Sequence, residues 1–149
     1  MPIPERSELE KLLDELKIGD KNLRSILVCL HDAARIHARS KYEEYLGEQY
    51  LSQLDEECRK IYIVGVPLSM LGMCKETILG KGTSPLPQEF CNAATVCVAV
   101  PATQLGTWKK LKLQKNIANL ATKLSKCIEK AKKGEKKKKK GLLSRLFGR

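Results

Sequence analysis

Cysteine and histidine are the side chains in this sequence best suited to metal binding or nucleophilic chemistry, but their spacing favours neither. His31 and His37 are six residues apart, which on a helix separates them by about 120° and not by the i, i+3 or i+4 spacing of a one-helix site. Cys91 and Cys97 have the same separation, and no CxxC or HxxxH motif occurs. We therefore expect no metal ion and no cofactor.

The cysteines are six in number and widely spaced, at positions 29, 58, 74, 91, 97 and 127. The N-terminal segment MPIPERSELEK lacks the apolar region of a secretory signal. Because disulfides are uncommon in reducing compartments, we expect reduced, mostly buried thiols and a cytoplasmic location.

Two other patterns resemble catalytic features without completing them. Residues 80–84 read GKGTS, like a phosphate-binding loop, but Gly82 follows Lys81 where that motif requires serine or threonine. Asp32 and the acidic residues 55–57 fall on predicted helix surfaces, where charges are ordinary. We predict no catalytic residue and a non-enzymatic protein.

Charge is distributed very unevenly along the chain. Residues 1–106 carry 12 Lys and Arg against 15 Asp and Glu, whereas residues 107–149 carry 16 against 2. The net charges of the two parts are therefore −3 and +14. Such polarity draws anionic partners to one end of the molecule.

Apolar residues at helical spacing place these side chains on helices. We predict a mainly α, compact domain of about five helices, with short strands near 61–66 or 94–100 as an alternative. Residues 90–108 lack charge over the length of a membrane span, but polar residues dilute them, so we expect a core helix broken at Pro101. Residues 80–87 form a loop. The predicted helices before that loop cover residues 4–17, 21–46, 48–63 and 67–79, the last beginning at Pro67.

A basic amphipathic helix is predicted over about residues 108–133. Its apolar residues fall within roughly 60° of Ile117, and its lysines form a band on the opposite side. Glu129 is the one acidic residue in this helix, so mutual repulsion of the lysines would be relieved by a bound anion. The band consists of Lys112, Lys115, Lys123, Lys126, Lys130 and Lys133.

Gly134 is expected to end this helix, which divides the chain into a helical domain, 1–133, and a disordered polybasic tail, 134–149. The tail contains Lys136, Lys137, Lys138, Lys139 and Lys140. Its last nine residues place four apolar side chains on one helical face and two arginines on the other, namely Leu142, Leu143, Leu146 and Phe147 against Arg145 and Arg149.

Polybasic charge next to an apolar tip is typical of a peripheral membrane anchor, because each lysine contributes about 1 kcal/mol at an anionic leaflet and the inserted side chains add to it. We therefore expect attachment to anionic membranes, while the helical body binds a protein partner or self-associates through the 21–46 stripe or residues 90–106. The alternative is non-specific nucleic-acid binding in a packaging or ribonucleoprotein component, with nuclear entry through Lys136 to Lys140.

Overall fold

The computed structural model describes the backbone of residues 3–146 and the side chains of residues 3–131. The described chain is mainly helical, as predicted, and contains no strand. The alternative of strands near 61–66 or 94–100 is wrong, because both segments lie inside helices. The helices are α1 (Arg6–Glu15), α2 (Lys21–His37), α3 (Arg39–Tyr45), α4 (Glu48–Leu51), α5 (Glu56–Gly72), α6 (Lys75–Ile78), α7 (Gln88–Gln104) and α8 (Thr107–Leu146).

Helix α2 lies at the centre of the packing. It packs against α7 on one side and against α5 on another, while α8 lies along α5. Leu27, Leu30 and Ala34 of α2 are fully buried, together with Phe90 and Ala94 of α7. Most of the apolar stripe of the predicted 21–46 helix is therefore part of the core, and Ile36 at its end is exposed.

The predicted 21–46 helix is broken at Ala38, whose backbone leaves the helical region (φ −142°, ψ 38°). The break allows the Tyr42 hydroxyl to hydrogen-bond the ring of His31 in the core. In one continuous helix these two residues would be about 16 Å apart along the axis. The break thus depends on a tertiary contact, which sequence periodicity does not report.

Both prolines predicted to bound helices lie inside them instead. Pro67 is buried within α5, which runs on to Gly72, and α7 continues through Pro101 to Gln104. A proline in a helix removes one backbone hydrogen bond. At Pro67, burial of the apolar segment 61–66 of α5 offsets this cost. The predicted boundaries at Pro67 and Pro101 are both wrong, because a helix runs through each proline.

All six cysteines form disulfide bonds, so the expectation of reduced thiols is wrong. The bonds join α2 to α7 (Cys29–Cys97), α5 to α8 (Cys58–Cys127) and the start of α6 to α7 (Cys74–Cys91). Their Cα separations of 5.5 to 5.7 Å are ordinary for disulfides. The partners are 68, 69 and 17 residues apart, and only the packing of the helices brings them together.

Helices α5 and α8 approach closely at Gly65. A Cβ atom at this position would lie 3.0 Å from Cδ2 of Leu124, whereas one at Gly72, on the same helix, would meet nothing within 4 Å. Gly65 therefore provides the space into which the Leu124 side chain packs.

Gly65→Val is expected to lower the free energy of unfolding by about 1–3 kcal/mol, because the added methyl groups overfill the α5–α8 contact. Urea denaturation followed by circular dichroism measures the change. Gly72→Val, the same substitution in open space, should change stability by less than about 1 kcal/mol. Equal losses in the two variants would mean that α5 and α8 do not pack as described.

Helix α8 was predicted to end at Gly134, but it continues to Leu146. Glycine lowers helix stability by only about 1 kcal/mol relative to alanine, so a single glycine does not end a long helix by itself. The proposed division into residues 1–133 and 134–149 stays a prediction.

Candidate anionic-surface interface

One face of α8 holds the helix on the domain. Leu113, Leu120, Leu124 and Cys127 are buried, and Ile117 packs partly buried beside them. These residues recur at the three- and four-residue spacing of a helix face. The apolar stripe predicted for this helix thus faces the core.

The opposite face of α8 carries a row of exposed lysines, here called the lysine ridge, made up of Lys112, Lys115, Lys123, Lys126 and Lys130. Among residues 3–131, the ridge has one ion pair, between Nζ of Lys130 and Oδ2 of Asp55 at 3.3 Å. Four of the five ridge lysines therefore make no ion pair within this part of the chain.

The remaining residues of the predicted interface lie outside the described side chains. For Lys133, the lysines of the 136–140 run, Arg145, Leu142, Leu143 and Leu146 only the helical backbone is described. Phe147 and Arg149 lie outside the described residues altogether.

Two helix-capping aspartates fix the position of α8. Oδ1 of Asp20 accepts from the backbone N–H of Leu23 at 2.9 Å, while its Oδ2 accepts from Nδ2 of Asn116 on α8 at 3.0 Å. Asp55 repeats this arrangement, with its Oδ1 on the N–H of Cys58 at 2.8 Å and its Oδ2 on Lys130. Each carboxylate thus caps one helix and holds α8 with its second oxygen.

The bond from the Cys58 N–H and, after it, the Lys130 ammonium hold the pKa of Asp55 below its usual value. Asp55 consequently stays charged and keeps its contact with Lys130. Together with the Cys58–Cys127 disulfide, one turn after Asp55 and one turn before Lys130, this contact fixes the lysine ridge to a rigid support.

The sequence that leads into the ridge contains no acidic residue over a long stretch. Between Glu89 and Glu129 the sequence has neither aspartate nor glutamate. Apart from Glu89 in the first turn of α7, neither α7 nor the first five turns of α8 therefore contributes a negative charge that would reduce the field of the ridge.

Two large apolar residues at the start of α8 were missed by the sequence reasoning. Trp108 is 78% exposed and Leu111 is 57% exposed. They lie on the outward face of α8, opposite the buried stripe and in line with the lysine ridge. Placing them on the helical wheel of the predicted 108–133 helix would have found them.

A polar cleft of about 1100 Å³ lies between α8, the start of α5 and the α1–α2 connection. Its walls carry both signs of charge, with Glu15, Asp20, Asp55, Glu56 and Glu57 facing Lys17, Lys60, Lys112 and Lys123. Lys60 already pairs with Glu15 at 3.1 Å and approaches Glu56 at 3.8 Å. Mixed and partly paired charges select neither an anion nor a cation, so the cleft carries no ligand assignment.

His31 is a core residue. Its Nε2 donates to the carbonyl oxygen of Val64 at 3.2 Å, and its Nδ1 accepts from the Tyr42 hydroxyl. Burial, more than the nearby Arg35, lowers the pKa of His31 to about 4, although the Val64 bond opposes the shift. His31 is thus a neutral bridge between α2, α3 and α5. The described residues also contain no cluster of three or more metal-ligating side chains.

In the part of the chain that the structure describes, the helical stretch Glu56–Ile78 is long and apolar enough to cross a membrane by length and composition alone. Half of its most apolar window is buried inside the domain. Val64 and Met70 within it are fully buried. This stretch therefore has the packing of a core helix.

No protein-family model, curated protein or solved structure matches this chain. Function must accordingly be inferred from charge, exposure and packing.

Proposed function

We propose that this chain is a non-enzymatic protein that attaches to anionic membrane surfaces through the lysine ridge of α8 and the basic sequence that follows it. The observation that carries the proposal is the exposure of five lysines along one face of a helix whose other face is buried in the domain. A flat array of ammonium groups suits a surface of many phosphates better than a single small ligand.

The composition of the C-terminal sequence supports lipid over nucleic acid. Leu142, Leu143, Leu146 and Phe147 follow the run of lysines from Lys136 to Lys140. Apolar side chains next to basic ones bind the interface between headgroups and acyl chains, whereas contact with a phosphate backbone needs none.

The three disulfides bear on where this attachment occurs. Disulfides persist in oxidising compartments and on cell surfaces, and they are rare in the cytoplasm and nucleus. The cytoplasmic location that was predicted together with reduced thiols loses that support. We propose membrane contact in an oxidising compartment, or on the surface that faces one.

We propose a smaller binding surface for the partner of the helical body than the sequence suggested. Most of the α2 stripe is buried, so binding of a protein partner or of a second copy would use exposed residues of α7, such as Val96 and Val100.

Lys115→Gln/Lys126→Gln is expected to weaken binding to phosphatidylserine-containing vesicles about 30-fold, since each lysine contributes about 1 kcal/mol at an anionic surface. Co-sedimentation of the full chain with these vesicles, and with pure phosphatidylcholine vesicles, measures the effect. Wild-type protein should sediment with the former and stay in solution with the latter.

Lys11→Gln/Lys81→Gln is the matched control, because it removes the same charge from exposed positions away from α8. An equal loss in both double variants would contradict a localised interface. Leu143→Glu and Phe147→Glu should each weaken vesicle binding, and unchanged binding would remove the tail from the interface. Salt-sensitive binding to duplex DNA without vesicle binding would favour the nucleic-acid alternative.

A further inference from the structure

The start of α8 carries an exposed tryptophan that takes little part in the packing of the core. Trp108 is 78% exposed and Leu111 is 57% exposed, so neither contributes much to the core. A single exposed apolar residue is ordinary on a protein surface. The position of this pair relative to the lysine ridge is what distinguishes it.

Trp108 and Leu111 share the outward face of α8 with the ridge. At 100° per residue, Leu111 lies about 60° from Trp108, Lys115 about 20° from it, and Lys126, five turns further along, on the same line. The buried Leu113 and Leu120 lie on the opposite side of the helix. The outward face of α8 therefore begins with two apolar side chains and continues as lysines.

Lysines also flank the pair directly. Lys109 and Lys112 are exposed beside Trp108 and Leu111, and no acidic residue occurs between Glu89 and Glu129. Charge complementarity thus favours an anionic binding partner. The indole ring favours a partner that has an apolar layer beneath its charged groups. Tryptophan concentrates at the headgroup level of bilayers because its ring is apolar and its N–H is polar.

We propose that Trp108 and Leu111 insert into the interfacial layer of an anionic membrane while the lysine ridge lies along the headgroups. This inference rests on the proposed function and adds to it that the rigid domain, and not only the C-terminal sequence, enters the lipid. Because α8 is bonded to α5 through Cys58–Cys127, insertion at its start sets the orientation of the whole domain on the membrane.

Trp108 is the sole tryptophan of the chain, so its fluorescence reports on this site directly. With full-length protein and phosphatidylserine-containing vesicles, its emission should shift to the blue, and lipids brominated on the acyl chains should quench it. Pure phosphatidylcholine vesicles should leave the emission unchanged, since they do not attract the lysines. Leu111→Glu should weaken vesicle binding by on the order of tenfold, because an inserted leucine is replaced by a charge that the anionic surface repels.

Ile36→Glu is the matched control, because Ile36 is similarly exposed, at 68%, but lies on α2. It should retain both the binding and the blue shift of wild-type protein. If the full chain sediments with anionic vesicles while Trp108 emission stays unchanged and unquenched, the inference is wrong and the proposed function stands. Failure to sediment with anionic vesicles would overturn both. A blue shift of equal size with phosphatidylcholine alone would overturn the requirement for an anionic lipid.

Discussion

Replacement of both Cys58 and Cys127 by alanine is expected to lower the free energy of unfolding by about 4 kcal/mol. The bond closes a loop with a sequence separation of 69 residues, and the loop-entropy relation gives about that value for a loop of this size. Domains of this length are stable by roughly 5–15 kcal/mol, so the loss is a large part of the total. Guanidinium denaturation of the double variant and of oxidised wild-type protein measures the difference.

The short-loop bond provides the comparison. Cys74→Ala/Cys91→Ala opens a loop with a separation of 17 residues and should lower stability by about 3 kcal/mol. Alkylation in denaturant without a reductant should label no cysteine of the wild-type protein, and after reduction it should label all six. Labelling before reduction would show that the bonds described here do not form in the protein.

Acidification is expected to destabilise the protein through His31. The pKa of this buried imidazole is lowered from 6.5 to about 4 on folding, so the unfolded chain binds a proton that the folded chain resists over this interval. The contribution of His31 to the free energy of unfolding is therefore complete above pH 6.5, and it is lost as the pH falls toward 4. The loss approaches about 3 kcal/mol, since one pKa unit corresponds to about 1.4 kcal/mol.

His31→Gln removes the titrating group, so its stability should change less between pH 6.5 and pH 4 than that of wild-type protein. Urea denaturation at a series of pH values measures both curves. His37→Gln, at an exposed position on the same helix, should keep the wild-type dependence on pH. If His31→Gln loses as much stability as wild-type protein over this interval, His31 is not the group responsible.

Local periodicity was sufficient to predict the elements that pack along a single face. Helix α1, the 80–87 loop and the buried stripe of α8 follow from apolar spacing and turn residues, and the structure has each of them. The mainly helical class follows from the same patterns. These features depend on neighbours within about two turns, which the sequence displays directly.

Features that depend on distant contacts could not be predicted. The break at Ala38 follows from the meeting of Tyr42 with His31, and the continuation of α5 through Pro67 follows from burial on all sides. The disulfide partners are separated by whole helices, so cysteine spacing carries no information about their pairing. The hydrogen bond from Asn116 to Oδ2 of Asp20, between residues 96 positions apart, is likewise a contact that the sequence does not display.

Within the candidate interface, the lysine ridge was predictable and the apolar start of α8 was missed. The lysines repeat at helical spacing over several turns, which gives a strong pattern. Trp108 comes at the end of the uncharged segment that begins at Phe90, and it was interpreted with that segment. The predicted helix over about 108–133 already included Trp108, and the observed start of α8 at Thr107 agrees with that assignment.

The disulfide spans also determine what a protease can do to this molecule. The bonds Cys29–Cys97 and Cys58–Cys127 overlap along the chain, and both enclose Cys74–Cys91. A single backbone cleavage anywhere between Cys29 and Cys127 therefore leaves two fragments joined through sulfur. A cut in the mostly exposed 80–87 loop, the kind of segment in which nicking concentrates, would be bridged by all three bonds. A nicked chain keeps α8 attached to α5, so its surface charge survives damage that would divide a protein lacking these bonds.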